Sequence, residues 1–179
     1  VKLAQGAKTR GGHLEGQKVT EEIAKIRLIE PGKTVNSPNR FVDYDSFPKL
    51  FDFIEELREV GGKPVGMKIV VGDVENLEEM VKIMRDSGKG PDFITIDGSE
   101  GGTGATYQEL ADSVGLPIMT ALPIVDELFR EYGIRDRVKL IASGKLITPD
   151  KVAIALGMGA DLVNIARGFM ISVGCIMAE

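Results

Sequence analysis

Five short apolar runs constrain this chain more than any other feature, because each closes in a loop of small and polar residues and a helical pattern separates it from the next. The runs are Lys2–Gln5 (KLAQ), Met67–Val71 (MKIVV), Phe93–Asp97 (FITID), Val138–Ala142 (VKLIA) and Leu162–Ala166 (LVNIA). Near-continuous apolar character suits parallel strands covered on both faces. Between them, Leu50, Phe51, Ile54 and Leu57 share one face of a segment opened by Ser46 and stopped at Gly61. Leu77, Met80, Val81 and Met84 share one face of the next, both at helical spacing. Thr148 as N-cap and Pro149 at the first helical position open a third helix ending at Gly157. EEIAKIR is a short helix within the long irregular stretch Gly6–Asp45. One or two more helices are expected between Tyr107 and Tyr132, interrupted near Pro117, and a last one from Arg167 to the end.

Strand–helix alternation predicts an α/β fold with a parallel sheet. A doubly wound open sheet and a (β/α)8 TIM barrel both satisfy it. The loops GAKTRGGHLEG, GDVEN, GSEGGTGA, SGKLITPD and RG follow the five strands in turn. In a barrel they converge on one face and form the active site, whereas an open sheet places its main glycine-rich loop after the first strand. The loops favour the barrel. A whole barrel takes about 250 residues and about eight strands; this chain has 179 residues. It therefore reads as a partial barrel over residues 1–179, of about five β/α units, corresponding to strands four to eight. A chain of this kind is expected to be inactive as a monomer and to pair with the remainder of the barrel, in a longer chain or an oligomer.

The formal net charge is −5 with acidic and basic residues interspersed, which argues against nucleic-acid binding, because phosphate backbones demand a concentrated basic patch. No apolar run approaches the roughly 18 residues of a membrane span. One cysteine and one histidine exclude an internal disulfide and a Cys/His zinc site and fit a reducing cytoplasm. Any Ser-His-Asp triad would have to use His13. The chemistry must come mostly from a borrowed cofactor.

Three places carry chemistry by residue type. Ser143-Gly144 and Ala166-Arg167 end the last two strands, where barrels commonly bind phosphate through backbone N–H groups and Arg adds a charge-assisted contact; the same residues also make ordinary βα turns. Lys68 lies inside an apolar strand, where an unpaired ammonium is costly. It points either inward, toward an anionic or electron-rich ligand, or out to water from an edge. The first loop gathers Gln5, Lys8, Arg10, His13 and Lys18 among glycines, which suits a cover for a small dianion as well as a solvated surface loop.

The segments KLAQGAK, GGHLEGQKVTEEIAKIR, DFITIDGSEGGTGA and IASGKLITPDKVAIALGMGADLVNIARGFMISVGCIM, in that order, together resemble the FMN-binding domain of glutamate synthase, nearest to the stand-alone glutamate-synthase-like flavoproteins of bacteria and archaea. The resemblance covers nearly the whole chain. It implies a (β/α)8 barrel and an FMN-dependent oxidoreductase active in glutamate biosynthesis. Ammonia from a glutaminase domain condenses with 2-oxoglutarate, and reduced FMN delivers hydride to the resulting 2-iminoglutarate to give L-glutamate. Electrons arrive from NADPH or ferredoxin through an iron–sulfur cluster. By the same resemblance, Gln5, Lys8 and Arg27 fall close to the 2-oxoglutarate site. His13 stands where the large synthases carry glutamine, and the loop between Lys8 and Gly11 is one residue shorter. Lys68 falls near the flavin, with Lys68, Gln5 and Lys8 in catalytic positions. Ser143, Gly144, Lys145, Ala166, Arg167 and Gly168 fall on the phosphate cradle. Asp97, Gly98, Gly101, Gly102 and Thr103 fall on the loop beside the isoalloxazine, where glycines let backbone lie against a flat ring and Asp97 and Thr103 supply polar contacts. Cys175 falls on the first of three cysteines that hold a 3Fe–4S cluster, to which it would be a ligand only in a longer chain.

Other FMN barrels remain alternatives. Among them, 2-hydroxy-acid oxidases need a catalytic histidine after strand six, and IDGSEGGTGA has none. A non-catalytic half-barrel, or a subunit of a split enzyme, is the remaining reading.

Overall fold

The computed structural model describes residues 1–6, 12–36, 41–100 and 114–175. Its centre is a four-stranded parallel sheet of β3 (Gly66–Ile69), β4 (Phe93–Asp97), β5 (Lys139–Ser143) and β6 (Leu162–Asn164). Each strand pairs with the next one in sequence, so the order is β3-β4-β5-β6 without a reversal. A doubly wound sheet reverses its order at a switch point. The observed succession is compatible with an arc of a barrel.

Helices cross between the strands. α2 (Phe47–Gly61) precedes β3, α3 (Val74–Ser87) joins β3 to β4, α4 (Ile118–Glu131) joins β4 to β5, and α5 (Pro149–Gly157) joins β5 to β6. The apolar stripes read from the sequence are the surfaces they bury. Leu77, Met80, Val81 and Met84 of α3 and Leu50, Phe51 and Ile54 of α2 join one core with Met67, Ile96, Leu140 and Ala142 of the sheet. Leu57 stays at the margin, 36% exposed. α4 contributes Ile118, Ala121, Leu122, Val125 and Phe129 to the same core.

The strand pleat sorts residues between two faces. Ile69, Ile96, Ala142 and Val163 stand in register on the helix-covered face, and Lys68, Thr95, Ile141 and Leu162 on the other. That second face ends in Asp97, Ser143 and Asn164, also in register.

Helix ends follow their local chemistry. The Asp73 carboxylate accepts the Asn76 N–H at 3.1 Å and caps α3, which ends at Gly88 in the left-handed region. Asp73→Ala is expected to cost about 1 kcal/mol, a fall of about 2–4 °C in thermal midpoint measured by scanning calorimetry. Ser46 and Thr148 occupy the N-cap positions of α2 and α5, as expected, but neither side chain makes a capping bond.

α2 stops at Gly61, as expected, and is capped by Gly62 in the left-handed region. Two expectations need correction. Lys2–Gln5 is not a full strand: it forms one parallel bridge, Lys2 to Lys68, with Leu3 N–H donating to Lys68 O and Lys68 N–H donating to Val1 O, because the segment then turns at Gly6 toward β4. The last helix, α6, covers only Arg167–Ser172, since Gly174 adopts φ +69° and turns the chain away. A small hairpin, β1 (His13–Leu14) with β2 (Val35–Asn36), and the helix α1 (Glu21–Arg27) make up the described part of the long first connection.

Candidate functional site

Because the four strands run parallel, their carboxyl ends share one rim. Asp97, Ser143 and Asn164 are the last residues of β4, β5 and β6, and Arg167 opens α6 just beyond β6. With Gln5, Lys68, Gly144, Lys145 and Ala166 they line a cleft of about 260 Å3. Residues far apart in sequence, singled out on separate grounds, thus meet in one place.

The floor of the cleft is an ion pair. Lys68 points from β3 to the face away from the helices, and its Nζ lies 2.9 Å from Asp97 Oδ2. The same oxygen accepts the Gly6 N–H at 2.8 Å. Asp97 is nearly enclosed, with 10% of its side chain exposed, against 31% for Lys68. Gln5 sits beside this pair and accepts a hydrogen bond from Lys2 Nζ.

Another wall is built on a positive-φ turn. Gly144 has φ +144°, a conformation L side chains rarely adopt. A Cβ there would lie 3.3 Å from Gly98 Cα and from the Glu100 carboxyl carbon. Gly98 N–H in turn donates to Ser143 O at 2.7 Å. Lys145 also has positive φ, +46°. Two consecutive left-handed residues thus shape the wall between β5 and α5.

Glu100 anchors the start of the glycine-rich stretch. Both of its carboxylate oxygens accept the Ile118 N–H at 3.0 Å, capping α4, whose N-cap residue Pro117 has no side chain to do so.

The other sequence-predicted residues fall elsewhere. Lys8, Gly101, Gly102 and Thr103 lie outside the described residues. Gly98 is buried beneath Gly144 rather than on the cleft. Gly168 lies in α6 against Ile165 and Ile147. Arg27 is exposed on the last turn of α1 and does not line the cleft. His13 is exposed in β1, and its Nδ1 is hydrogen-bonded to Asn36 Oδ1 at 2.7 Å. Cys175 is an exposed free thiol just past α6. Among the described residues no group of three or more His, Cys, Asp or Glu side chains is arranged to hold a metal ion, and none of their helices is long and apolar enough to cross a membrane. Leu146, Asn164, Ile165 and Met170 also line the cleft and were not singled out in the sequence. For Asn164 the signal was available: it is the polar residue that interrupts the apolar run of the last strand.

The family model for the conserved region in glutamate synthase matches residues 1–179. The chain belongs to the glutamate synthase family. Glutamate synthase relatives match it end to end. It is 66% identical over 178 residues, 99% of its length, to the glutamate synthase large subunit-like protein YerD of Bacillus subtilis. It is 38% identical over 98% of its length to the archaeal glutamate synthase (NADPH) of Methanocaldococcus jannaschii. It is 36% identical over its full length to the ferredoxin-dependent glutamate synthase of Pyropia yezoensis. The chain covers 34% of each of the first two relatives and 12% of the third, so this family member spans at most about a third of the glutamate synthases it matches.

Proposed function

We propose that residues 1–179 form the later part of the FMN-binding (β/α)8 barrel of a glutamate-synthase-type oxidoreductase, and that the full protein reduces 2-iminoglutarate, formed from 2-oxoglutarate and ammonia, to L-glutamate. The observation that carries the reading is the convergence of Lys68, Asp97, Ser143, Gly144 and Arg167 on one cleft at the carboxyl ends of the strands. Family membership and the reversal-free strand order support it. Leu162, Phe169 and Val173 are 58%, 65% and 79% exposed along the β6 side, as suits an edge that further strands cover.

The residues present fit a flavin phosphate. The positive-φ turn at Gly144 leaves room that a Cβ would fill, and Arg167, on the cleft wall, offers a planar fork of donors matched to phosphate oxygens. FMN, when bound, supplies the hydride equivalent for imine reduction. The chain's own part is to hold and to polarise. Arg167 and the backbone at Ser143-Gly144 would take the phosphate. The Lys68 ammonium would present positive charge and a proton at Nζ to the cleft, and Gln5 would offer its amide beside it. Lys8, Arg27 and His13 would belong to the oxoacid side. Cys175 alone does not fit an iron–sulfur cluster, which needs several thiolates; it would serve as one ligand only with cysteines that this sequence does not contain. Ammonia would come from a glutaminase domain, and electrons from an NADPH- or ferredoxin-linked donor.

Arg167→Met in the full-length protein tests the reading. Losing a charge-assisted contact is expected to weaken FMN binding by roughly tenfold or more, read by quenching of flavin fluorescence on titration. Glutamate formation from 2-oxoglutarate and ammonia should fall with flavin occupancy. A wild-type protein that carries no flavin bands and binds no added FMN would overturn the proposal.

A further inference from the structure

Asp97 lines the cleft, yet it is nearly enclosed and its oxygen Oδ2 already has two donors. Little of it remains to touch a ligand. We propose that Asp97 is a positioning residue: its carboxylate clamps the Lys68 ammonium and the Gly6 N–H together, and so presents Lys68 and Gln5 to the same cleft.

Three segments distant in sequence meet at this one oxygen. Lys68 is in register with Thr95 on β4, so Asp97, two residues on, stands diagonally from it on the same face, within reach of a long side chain. Gly6 arrives by close approach. A Cβ at that position would lie 1.6 Å from Gly98 O and 3.4 Å from Ser99 Cα, so no larger residue fits, and the turn is seated on the end of β4. The Gly6 N–H then reaches Asp97 at 2.8 Å. Gln5, the preceding residue, is thereby fixed at the cleft. Without the carboxylate, the Lys68 ammonium would have to find another partner or withdraw to water, since an unpaired charge is costly in a partly buried site. The pair also shapes the field of the cleft. Lys68 and Asp97 compensate each other at the β3–β4 end, and Arg167 lies at the β6 end. An anionic group is drawn to the latter.

The geometry stands by itself, whereas its consequence for ligand binding rests on the flavin reading above. Two measurements on the full-length protein separate them. In the first, amide hydrogen exchange at Gly6 is compared in wild type, Asp97→Asn and Lys68→Met. Replacing the charged acceptor by a neutral one is expected to speed Gly6 exchange about tenfold, whereas Lys68→Met, which leaves the acceptor in place, should change it little. Unchanged exchange in Asp97→Asn overturns the clamp. In the second, FMN affinity is measured for both single variants and the double variant. If Asp97 acts by positioning, Asp97→Asn weakens FMN about tenfold when Lys68 is present and by much less in Lys68→Met, where only the Gly6–Gln5 side of the clamp is left to lose. Additive losses assign Asp97 a direct role at the ligand and overturn the positioning role. If the wild type binds no FMN, the flavin reading falls and the exchange measurement alone decides the clamp.

Discussion

Gly144→Val should lose flavin binding by about a hundredfold or more while the sheet stays folded. The native φ of +144° lies where a β-branched residue is strongly disfavoured, and such strain costs of order 1–3 kcal/mol. The added Cβ would also press on the backbone of Gly98 and the Glu100 carboxyl carbon at 3.3 Å, before the two methyl groups are counted. Gly98 N–H is bonded to Ser143 O, and Glu100 caps α4, so neither neighbour can retreat cheaply. The turn is expected to open into the cleft and displace the phosphate site. Titration of FMN into the full-length variant, with circular dichroism as the control for folding, gives the measurement. Wild-type affinity would remove Gly144 from the cradle.

Asp126→Ala should lower stability by about 3 kcal/mol without touching the cleft. Asp126 accepts Arg130 Nε at 2.6 Å and Arg135 Nε at 2.5 Å. Arg135 continues to Asp161 at 2.9 Å and to Gly159 O at 2.7 Å, and Asp161 accepts the Leu140 N–H of β5 at 2.8 Å. The network bolts α4 to the α5–β6 turn. Asp126 and Arg135 are each 13% exposed at the side chain, so removing the carboxylate takes one of two carboxylate partners from a mostly buried guanidinium and frees Arg130 as well, a loss of about 3 kcal/mol and about 6–12 °C in thermal midpoint.

Partial burial disfavours the Asp126 carboxylate, but hydrogen bonds from Arg130 and Arg135, together with their charges, outweigh it and hold its pKa below the ordinary aspartate value. Burial likewise opposes ionisation of Asp161, and the Leu140 N–H with the Arg135 charge again wins. Both groups bind protons more weakly folded than unfolded. Their contribution is full above the unfolded pKa of about 3.9 and is lost as pH falls through the lower folded values. Denaturation midpoints followed from about pH 6 to pH 2 should therefore drop steeply in the wild type and less steeply in Asp126→Asn. Equal slopes would remove Asp126 from the acid response.

Much of the helical framework could be read in the sequence because a 3.6-residue period leaves a clear trace. All four apolar residues read in α3 are buried, and α5 starts at Pro149 as its composition dictates. The sheet was readable as apolar runs, although the edges of β3, β5 and β6 moved by one or two residues. What escaped was pairing that depends on distant partners. β1 and β2 are two residues each, some twenty residues apart, with no alternation to mark them. Lys2–Gln5 has strand composition, but the turn at Gly6 leaves it a single bridge. Lys68 was visible as a costly lysine in an apolar strand, whereas its partner was not, since Asp97 is reached only through the β3–β4 register. Glu100 as the cap of α4 was equally hidden; the available hint was Pro117, which cannot cap a helix through its own side chain.

The reversal-free strand order also bears on how the chain is made. β4, β5 and β6 each pair with the strand synthesised just before them, so the sheet can extend in the direction of translation, one β–α unit at a time, without waiting for sequence still on the ribosome. A nascent chain halted after α4 would already own a paired β3–β4 ladder and much of its helix layer. The segment around Leu3 is the exception among the described residues. Its hydrogen bonds go to Lys68, far along the chain, and the closure entropy of that long loop is spent only after β3 emerges. Residues 1–6 are therefore made before β3 yet find their place only after it, and the Gln5–Gly6 side of the cleft is completed after β3 and β4 have met.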